Sequence, residues 1–395
     1  MLGTQVMQNG TGILTGRPQT GTPPTAGPDV DRDVTAAVEQ VLGRYVRERV
    51  HHASRVDAQF AADVAEQLAQ FVIRGGKRLR ASFLWWGWRA AGGTTDGEEA
   101  DAALRLGAAI ELIQGCALVH DDVMDESPVR RGAPAVHAAF AQAHTTRGMR
   151  GSSAAFGTAA AILAGDLALS WADDLMTCTA LTSPQGSRVH REWQAMRTEL
   201  VAGQYLDMHA QATGSTSVVE AVRIAGLKSA LYTVERPLAL GAALAGADER
   251  TTDALRSAGR CAGIAFQLRD DLVGAFGDPA STGKPSGDDL REGKATYLRA
   301  VAVRLAATGG VTDITDGLNP GGEGRSLTDD EVDRLRQAIE STGAPAVVEE
   351  KIDRLVELSV RHLASLDSEP YIVGELTRLV GRAAGVQPNR TGEPA

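Results

Sequence analysis

From Asp31 onward, apolar residues recur with the period of an α-helix. Val34, Val38, Val41, Leu42 and Tyr45 mark one amphipathic stretch, and Phe60, Val64, Leu68 and Phe71 mark a second. The second should stop at Gly75-Gly76, because a helix C-terminus favours a left-handed residue. The same reading predicts helices over 79–91, from 98 through the acidic residues near 125, and over 154–178 after a loop around 145–153. Further helices are expected over 187–210, 217–225, 229–245 with an interruption at Pro237, and 249–276. A Gly- and Pro-punctuated loop then covers 277–294, and 308–327 is rich in Gly, Asp and Thr and expected to be mobile. Thr328 with Glu331 is a capping-box signal for a helix to about residue 341, and two or three more helices should follow. No repeat or linker divides the chain. The expected layout is a disordered leader over 1–30, one helical domain over 31–384 and a flexible tail over 385–395.

Composition supports helices and limits partners. The 395 residues are 43% hydrophobic and only 4% aromatic, with few of the β-branched runs that strands need. A formal net charge of −10 opposes non-specific binding to nucleic acid or an anionic membrane. An anionic ligand must therefore meet a local cluster of bases or a metal. Cys116, Cys178 and Cys261 lie far apart without zinc spacing, which fits a reduced, cytoplasmic protein with no disulfide. The first residues lack the charge and apolar core of a signal peptide, and 151–165 is too short and too rich in small residues to cross a bilayer. A soluble protein without membrane insertion is expected.

The chemistry concentrates in residues 110–131, IELIQGCALVHDDVMDESPVRR. A nearly uncharged run ends in Asp121, Asp122 and Asp125, and Arg130 and Arg131 follow. At about 100° per residue, Gln114, Leu118, Asp121 and Asp125 share one stripe, so their polar groups project into one space. Carboxylates one turn apart repel, and desolvated ones take up protons unless a cation neutralises them. Asp donors without His or Cys suit Mg²⁺, a hard ion that keeps waters and whose coordination is completed by phosphate oxygens. Other aspartate pairs occur at 173–174, 288–289 and 329–330, where the plain reading is surface charge. The apolar lead-in and the trailing arginines set the first pair apart. The turn GGKRLR places Lys77, Arg78 and Arg80 beside flexible backbone, able to wrap a diphosphate or simply to face solvent. FQLRDD, residues 266–271, adds a second aspartate pair.

GGKRLR, then DDVMD with RRG, then FQLRDD with GK and EGK stand in that order. In this the chain resembles the trans-isoprenyl diphosphate synthases, or polyprenyl synthetases, of the bacterial geranylgeranyl diphosphate synthase kind. The resemblance implies an all-α isoprenoid synthase fold, a helical bundle around a central cavity, usually homodimeric. It also implies condensation of isopentenyl diphosphate with dimethylallyl, geranyl or farnesyl diphosphate, with Mg²⁺ held between the two acidic motifs. Carried over, Asp121, Asp122 and Asp125 form the first motif, with Asp121 and Asp125 as direct ligands; in the second, Asp270 ligates and Asp271 supports it. Arg130, Lys228, Gln267, Lys284 and Lys294 match positions that bind the allylic diphosphate or its metals, and Ser229 keeps a hydroxyl where Thr is common. Lys77, Arg80, Gln114 and Arg131 match positions around isopentenyl diphosphate. His120 is expected to support the site rather than react.

Three residues depart from the commonest pattern: Gly274 replaces a third aspartate, Ser229 replaces Thr, and Ala81 replaces a proline. Gly274 leaves the metal count open. In the family, aromatics four and five positions before the first Asp close the pocket at fifteen carbons. Here those positions are Ala117 and Cys116, so a chain can pass about 7 Å deeper at 1.5 Å per residue. A twenty-carbon product is expected. A terpene cyclase of the same fold would not need GGKRLR and a second aspartate pair, and a non-catalytic partner subunit would have lost more of these groups.

Overall fold

The computed structural model describes residues 30–277, 287–308 and 327–386. The leader up to residue 29, Lys284, and nearly all of the 308–327 segment and the tail lie outside the described residues. Val30, assigned to the leader, already packs in the core.

Helix α1 (Val34–Val56) begins at Asp33, whose carboxylate accepts the Ala36 N–H at 2.9 Å, a cap contributing about 1 kcal/mol. It buries Val34, Val38, Leu42 and Val46 as one stripe. The second expected helix is a single rod: α2 (Ala58–Phe60), a π turn over Ala61–Ala65, and α3 (Glu66–Ile73). It ends at the glycine pair, where Gly75 takes φ 82°. Helix α4 (Leu79–Ala90) has no polar face: Phe83, Leu84, Trp85, Trp86 and Trp88 are all buried. Asp31 ties its far end to the chain start, accepting the Trp85 Nε1–H at 2.8 Å and pairing with Arg89 at 3.0 Å.

Helix α5 (Gly97–Met124) runs through the centre and carries the first acidic motif at its end. A two-stranded hairpin, β1 (Val129–Arg130) against β2 (Ala133–Pro134), pairs Arg130 with Ala133 and turns Arg130 back toward that end. Then come α6 (Val136–Thr146), α7 (Ser153–Thr182), α8 (Gly186–Ala212) and α9 (Val218–Ile224). The hydrophobic pattern does not predict α6: between Val136 and Phe140 it offers only His and Ala to mark a face. The interruption expected at Pro237 takes the form of a change of helix type: a π-helical run over Ala225–Glu235 gives way to α10 (Arg236–Ala245), with the proline in its first turn, where its missing N–H is tolerated.

Helix α11 (Glu249–Phe276) matches its expected bounds. It is followed by the short α12 (Asp288–Arg291), the unpredicted α13 (Tyr297–Thr308), α14 (Asp329–Ser341), α15 (Ala344–Leu363) and α16 (Pro370–Ala384). The capping box at Thr328 and Glu331 forms as expected. The main core joins α1, α4, α5, α7, α8, α10 and α11. A second cluster, built on α11, α13, α14 and α15, holds up the outer side of α11. The two acidic helices α5 and α11 are thereby fixed around one open space, with α8 and the π run between them.

Candidate active site

That space is a cavity of about 490 Å³ whose lining includes Asp121, Asp270, Lys228, Arg130, Lys294 and Phe266. Residues from both acidic motifs line it together. The remaining described residues assigned to substrate, Lys77, Arg80, Gln114, Arg131, Ser229 and Gln267, also line it.

Of the α5 stripe expected from periodicity, Gln114, Leu118 and Asp121 line the cavity, joined by Ala117, whereas Asp125 at the helix end is not among the lining residues. Asp121 is held by three elements. Its Oδ1 accepts from Gln204 at 3.0 Å and Lys228 at 3.2 Å, and its Oδ2 from Arg130 at 3.3 Å. Burial would raise its pKa, but Lys228, Lys294 and Arg130 outweigh burial and hold it near about 2. Asp121 is therefore ionised at neutral pH. Asp122 points away from the cavity, fully buried, and accepts from Arg130 Nε at 2.7 Å, so it orients the arginine. Asp125 closes the helix and meets Lys294 Nζ at 3.0 Å.

Lys228 sits in the π run and bridges Asp121 to Asp207, 2.6 Å away on α8. Gly203 makes this approach possible, since a Cβ there would lie 2.6 Å from the Lys228 Cα. Gln204 and Asp207 belong to GQYLD, residues 203–207, within the helix expected over 187–210. Its GQ-x-x-D spacing was the available signal. Only the fold reveals that Asp121 and Lys228 lie within its reach.

On α11, Asp270 and Asp271 both line the cavity, Asp270 exposed and Asp271 buried. Asp271 accepts from Gln267 at 2.7 Å and from the Tyr297 N–H at 3.2 Å, pinning α13 to α11. Burial pushes its pKa up to about 8, against the Gln267 hydrogen bond, and nearby Asp289 and Asp270 add to the rise. Its two hydrogen bonds anchor the wall that α11 and α13 share. Burial acts to lower the Lys294 pKa, but Asp289, Asp125, Glu292 and Asp121 outweigh it and hold the ammonium charged, well above the ordinary lysine range.

The basic turn divides its labour. Arg78 turns inward with φ 45°, pairing with Glu111 at 3.0 Å and Glu39 at 3.2 Å, and so builds the turn. Lys77 stays exposed at the rim. Arg80 donates to Thr233 at 2.9 Å and lies 4.6 Å from the Tyr232 ring centroid, with its buried Nε unpartnered among the described residues. Arg131 reaches the Gly75 carbonyl and stacks at 5.9 Å on Phe71. Cys116 does not line the cavity: its Sγ lies 3.7 Å from His120 Nδ1, and His120 Nε2 lies 3.2 Å from the Ile162 carbonyl. His120 thus links α5 to α7, as a supporting residue would.

Among the described residues, no three His, Cys, Asp or Glu side chains gather closely enough to hold a metal ion by themselves. The carboxylates are instead spread across the cavity mouth. Such a donor set fits Mg²⁺, which takes one or two carboxylates and fills its remaining positions with water and phosphate oxygens.

An all-helical bundle with two acidic helices facing across a cavity, and cations ringing its mouth, defines the class: an isoprenoid synthase fold. The polyprenyl synthetase family model matches residues 62–316, and the chain belongs to that family. It is 32% identical over 287 residues to a geranylfarnesyl diphosphate synthase of Aeropyrum pernix, covering 72% of this chain and 81% of that protein. A geranylgeranyl diphosphate synthase of Mycobacterium tuberculosis is 30% identical over 312 residues, 78% of this chain and 80% of the other. Among solved structures, a Corynebacterium glutamicum geranylgeranyl pyrophosphate synthase complexed with isoprenyl diphosphate and magnesium superposes with a TM-score of 0.82 at 37% identity, covering 88% of this chain and 98% of that one. The protein is a prenyltransferase, a short-chain trans-prenyl diphosphate synthase, and its relatives differ in product length.

Proposed function

We propose that the enzyme condenses isopentenyl diphosphate with dimethylallyl, geranyl or farnesyl diphosphate to give geranylgeranyl diphosphate, using Mg²⁺, as a cytoplasmic homodimer. The observation that carries the reading is that Asp121 and Asp270 line one cavity together with the apolar side chains of Ala117, Leu118, Leu200 and Phe266. Charged groups and an apolar wall in one space are what an allylic diphosphate requires.

Asp121, Asp125 and Asp270 would hold Mg²⁺ together with the diphosphate oxygens, and the bound metal would neutralise charge building on the leaving group. Arg130, Lys228 and Lys294, now paired with carboxylates, are placed to share the diphosphate charge. Arg80, with its unpartnered Nε, and Lys77, Arg131 and Gln114 form the second anion side, for isopentenyl diphosphate. Holding both substrates aligns the acceptor double bond with the allylic carbon. The apolar wall keeps water from the allylic cation. Proton loss to the departing pyrophosphate ends the turn. Incubation with isopentenyl diphosphate and each primer, with and without Mg²⁺, tests the reading by product chain length; the absence of prenyl transfer with every primer would overturn it.

The homodimer rests on α7, which exposes Phe156, Ile162, Leu163 and Leu181. A second copy covering this face would remove a large apolar patch from water. Asp166 stands amid the same face, 61% exposed, and would be costly against lipid.

A further inference from the structure

The geometry points to Asp289 as the carboxylate that completes the second acidic motif in place of a side chain at Gly274. On α11, position 274 lies one turn beyond Asp270 and Asp271, so a side chain there would project along the same stripe. Gly274 leaves that space open, and Asp289 fills it from a separate segment. A Cβ built on Gly274 would overlap Asp289 Oδ2 and stand 2.9 Å from its Cγ. The position is held by backbone: the Gly287 N–H donates to the Gly274 carbonyl at 3.1 Å, and the Lys294 N–H donates to the Asp289 carbonyl at 2.9 Å. Asp289 lines the cavity alongside Asp270 and Asp271. Its Oδ1 lies 3.6 Å from Lys294 Nζ, and the same ammonium reaches Asp125 of the first motif at 3.0 Å.

The glycine is therefore a fit and not a loss. The carboxylate arrives from α12, and Lys294 couples it to the opposite acidic helix. Asp289 is a positioning residue for the charged mouth, and adding an aspartate at 274 would displace it and disturb Lys294.

The inference rests on the proposed Mg²⁺-diphosphate reading, so its test separates the two. Binding of Mn²⁺, with and without inorganic pyrophosphate, is followed by electron paramagnetic resonance on the full chain, alongside the Mg²⁺ concentration for half-maximal prenyl transfer. In the wild type, pyrophosphate should tighten Mn²⁺ binding; if it does not, the reading of the site fails. Given that result, Asp289→Asn should weaken Mn²⁺ binding about tenfold, in the range of groups that orient metal ligands. Gly274→Asp alone should weaken it too. The combined Gly274→Asp, Asp289→Ala exchange should recover most of the affinity lost by Asp289→Ala alone. Unchanged binding in Asp289→Asn, tighter binding in Gly274→Asp alone, or an exchange no better than Asp289→Ala would each overturn the inference while leaving the site reading intact. Thermal unfolding of each variant separates a binding effect from loss of fold.

Discussion

Helices α5 and α7 are close in length and in apolar content, and both are long enough to span a membrane by those criteria alone. Their surroundings differ sharply: 78% of the most apolar stretch of α5 is buried, against 28% in α7. They touch each other extensively, and His120 reaches across to the Ile162 carbonyl. Hydropathy therefore says that a helix must be covered, but not by what. Packed elements of its own chain cover α5, and its one polar stripe is aimed at the cavity. Among the described residues nothing covers the outward face of α7, which is why it carries the assembly proposal.

Removing the polar stripe of α5 should have the largest effect. Asp121→Asn takes a charge from the group that anchors Lys228, Gln204 and Arg130. Loss of one preorganised electrostatic group of this kind costs on the order of 10²–10³ in kcat. Steady-state prenyl transfer measures the loss, and the size of the assembly should not change. An enzyme with near-normal turnover would show that α5 is only a core helix.

The reciprocal change is on α7. Leu163 is 61% exposed in the protomer. Burying such a side chain contributes roughly 1.5 kcal/mol, and two-fold symmetry uses it twice, so Leu163→Glu should weaken self-association by about a hundredfold or more. Light scattering across a dilution series measures it. A wild-type protein that is monomeric throughout would remove the assembly from the comparison and leave the patch to another partner.

A smaller change sharpens what α5 does below its acids. Ala117 faces the cavity and Cys116 does not, so only the first can set depth directly. Ala117→Phe should move the main product one five-carbon unit shorter with most turnover kept, read by chromatography of the dephosphorylated products. Cys116→Phe should instead strain the contact with His120 and lower stability, with less selective change in length.

Much of this was legible in the sequence because it is local. The stripe Gln114, Leu118, Asp121, the bounds of α11 and the capping box at Thr328 follow from spacing along a single helix. Where the chemistry depends on distant segments, spacing is silent. Lys228 meets Asp121 across 107 positions, and Gln204 meets it across 83. Neither Asp207 nor Asp289 declares its partner, and Arg78 looks like its basic neighbours until its turn inward is seen. Helix α13 escapes the sequence pattern because Tyr297–Ala302 is buried throughout, which leaves no polar face there to mark a period.

The finest contrast between the two helices uses one residue type. Cys116 on α5 is buried, and burial, with a contribution from Asp166, pushes its thiol up to about 12. Cys178 on α7 is exposed in the protomer. A raised thiol pKa leaves the unreactive protonated form in excess below it, so at pH 8 Cys116 is almost wholly protonated as well as buried. Iodoacetamide at pH 8 should therefore label Cys178 first and leave Cys116 untouched until urea unfolds the chain, as peptide mass mapping would show. If a second copy covers α7, Cys178 should label faster in Leu163→Glu than in the wild type, while Cys116 stays protected in both. Equal rates at Cys178 would mean that the cover over α7 does not reach that far along the helix, and rapid labelling of Cys116 would mean that α5 is less enclosed than its neighbours make it.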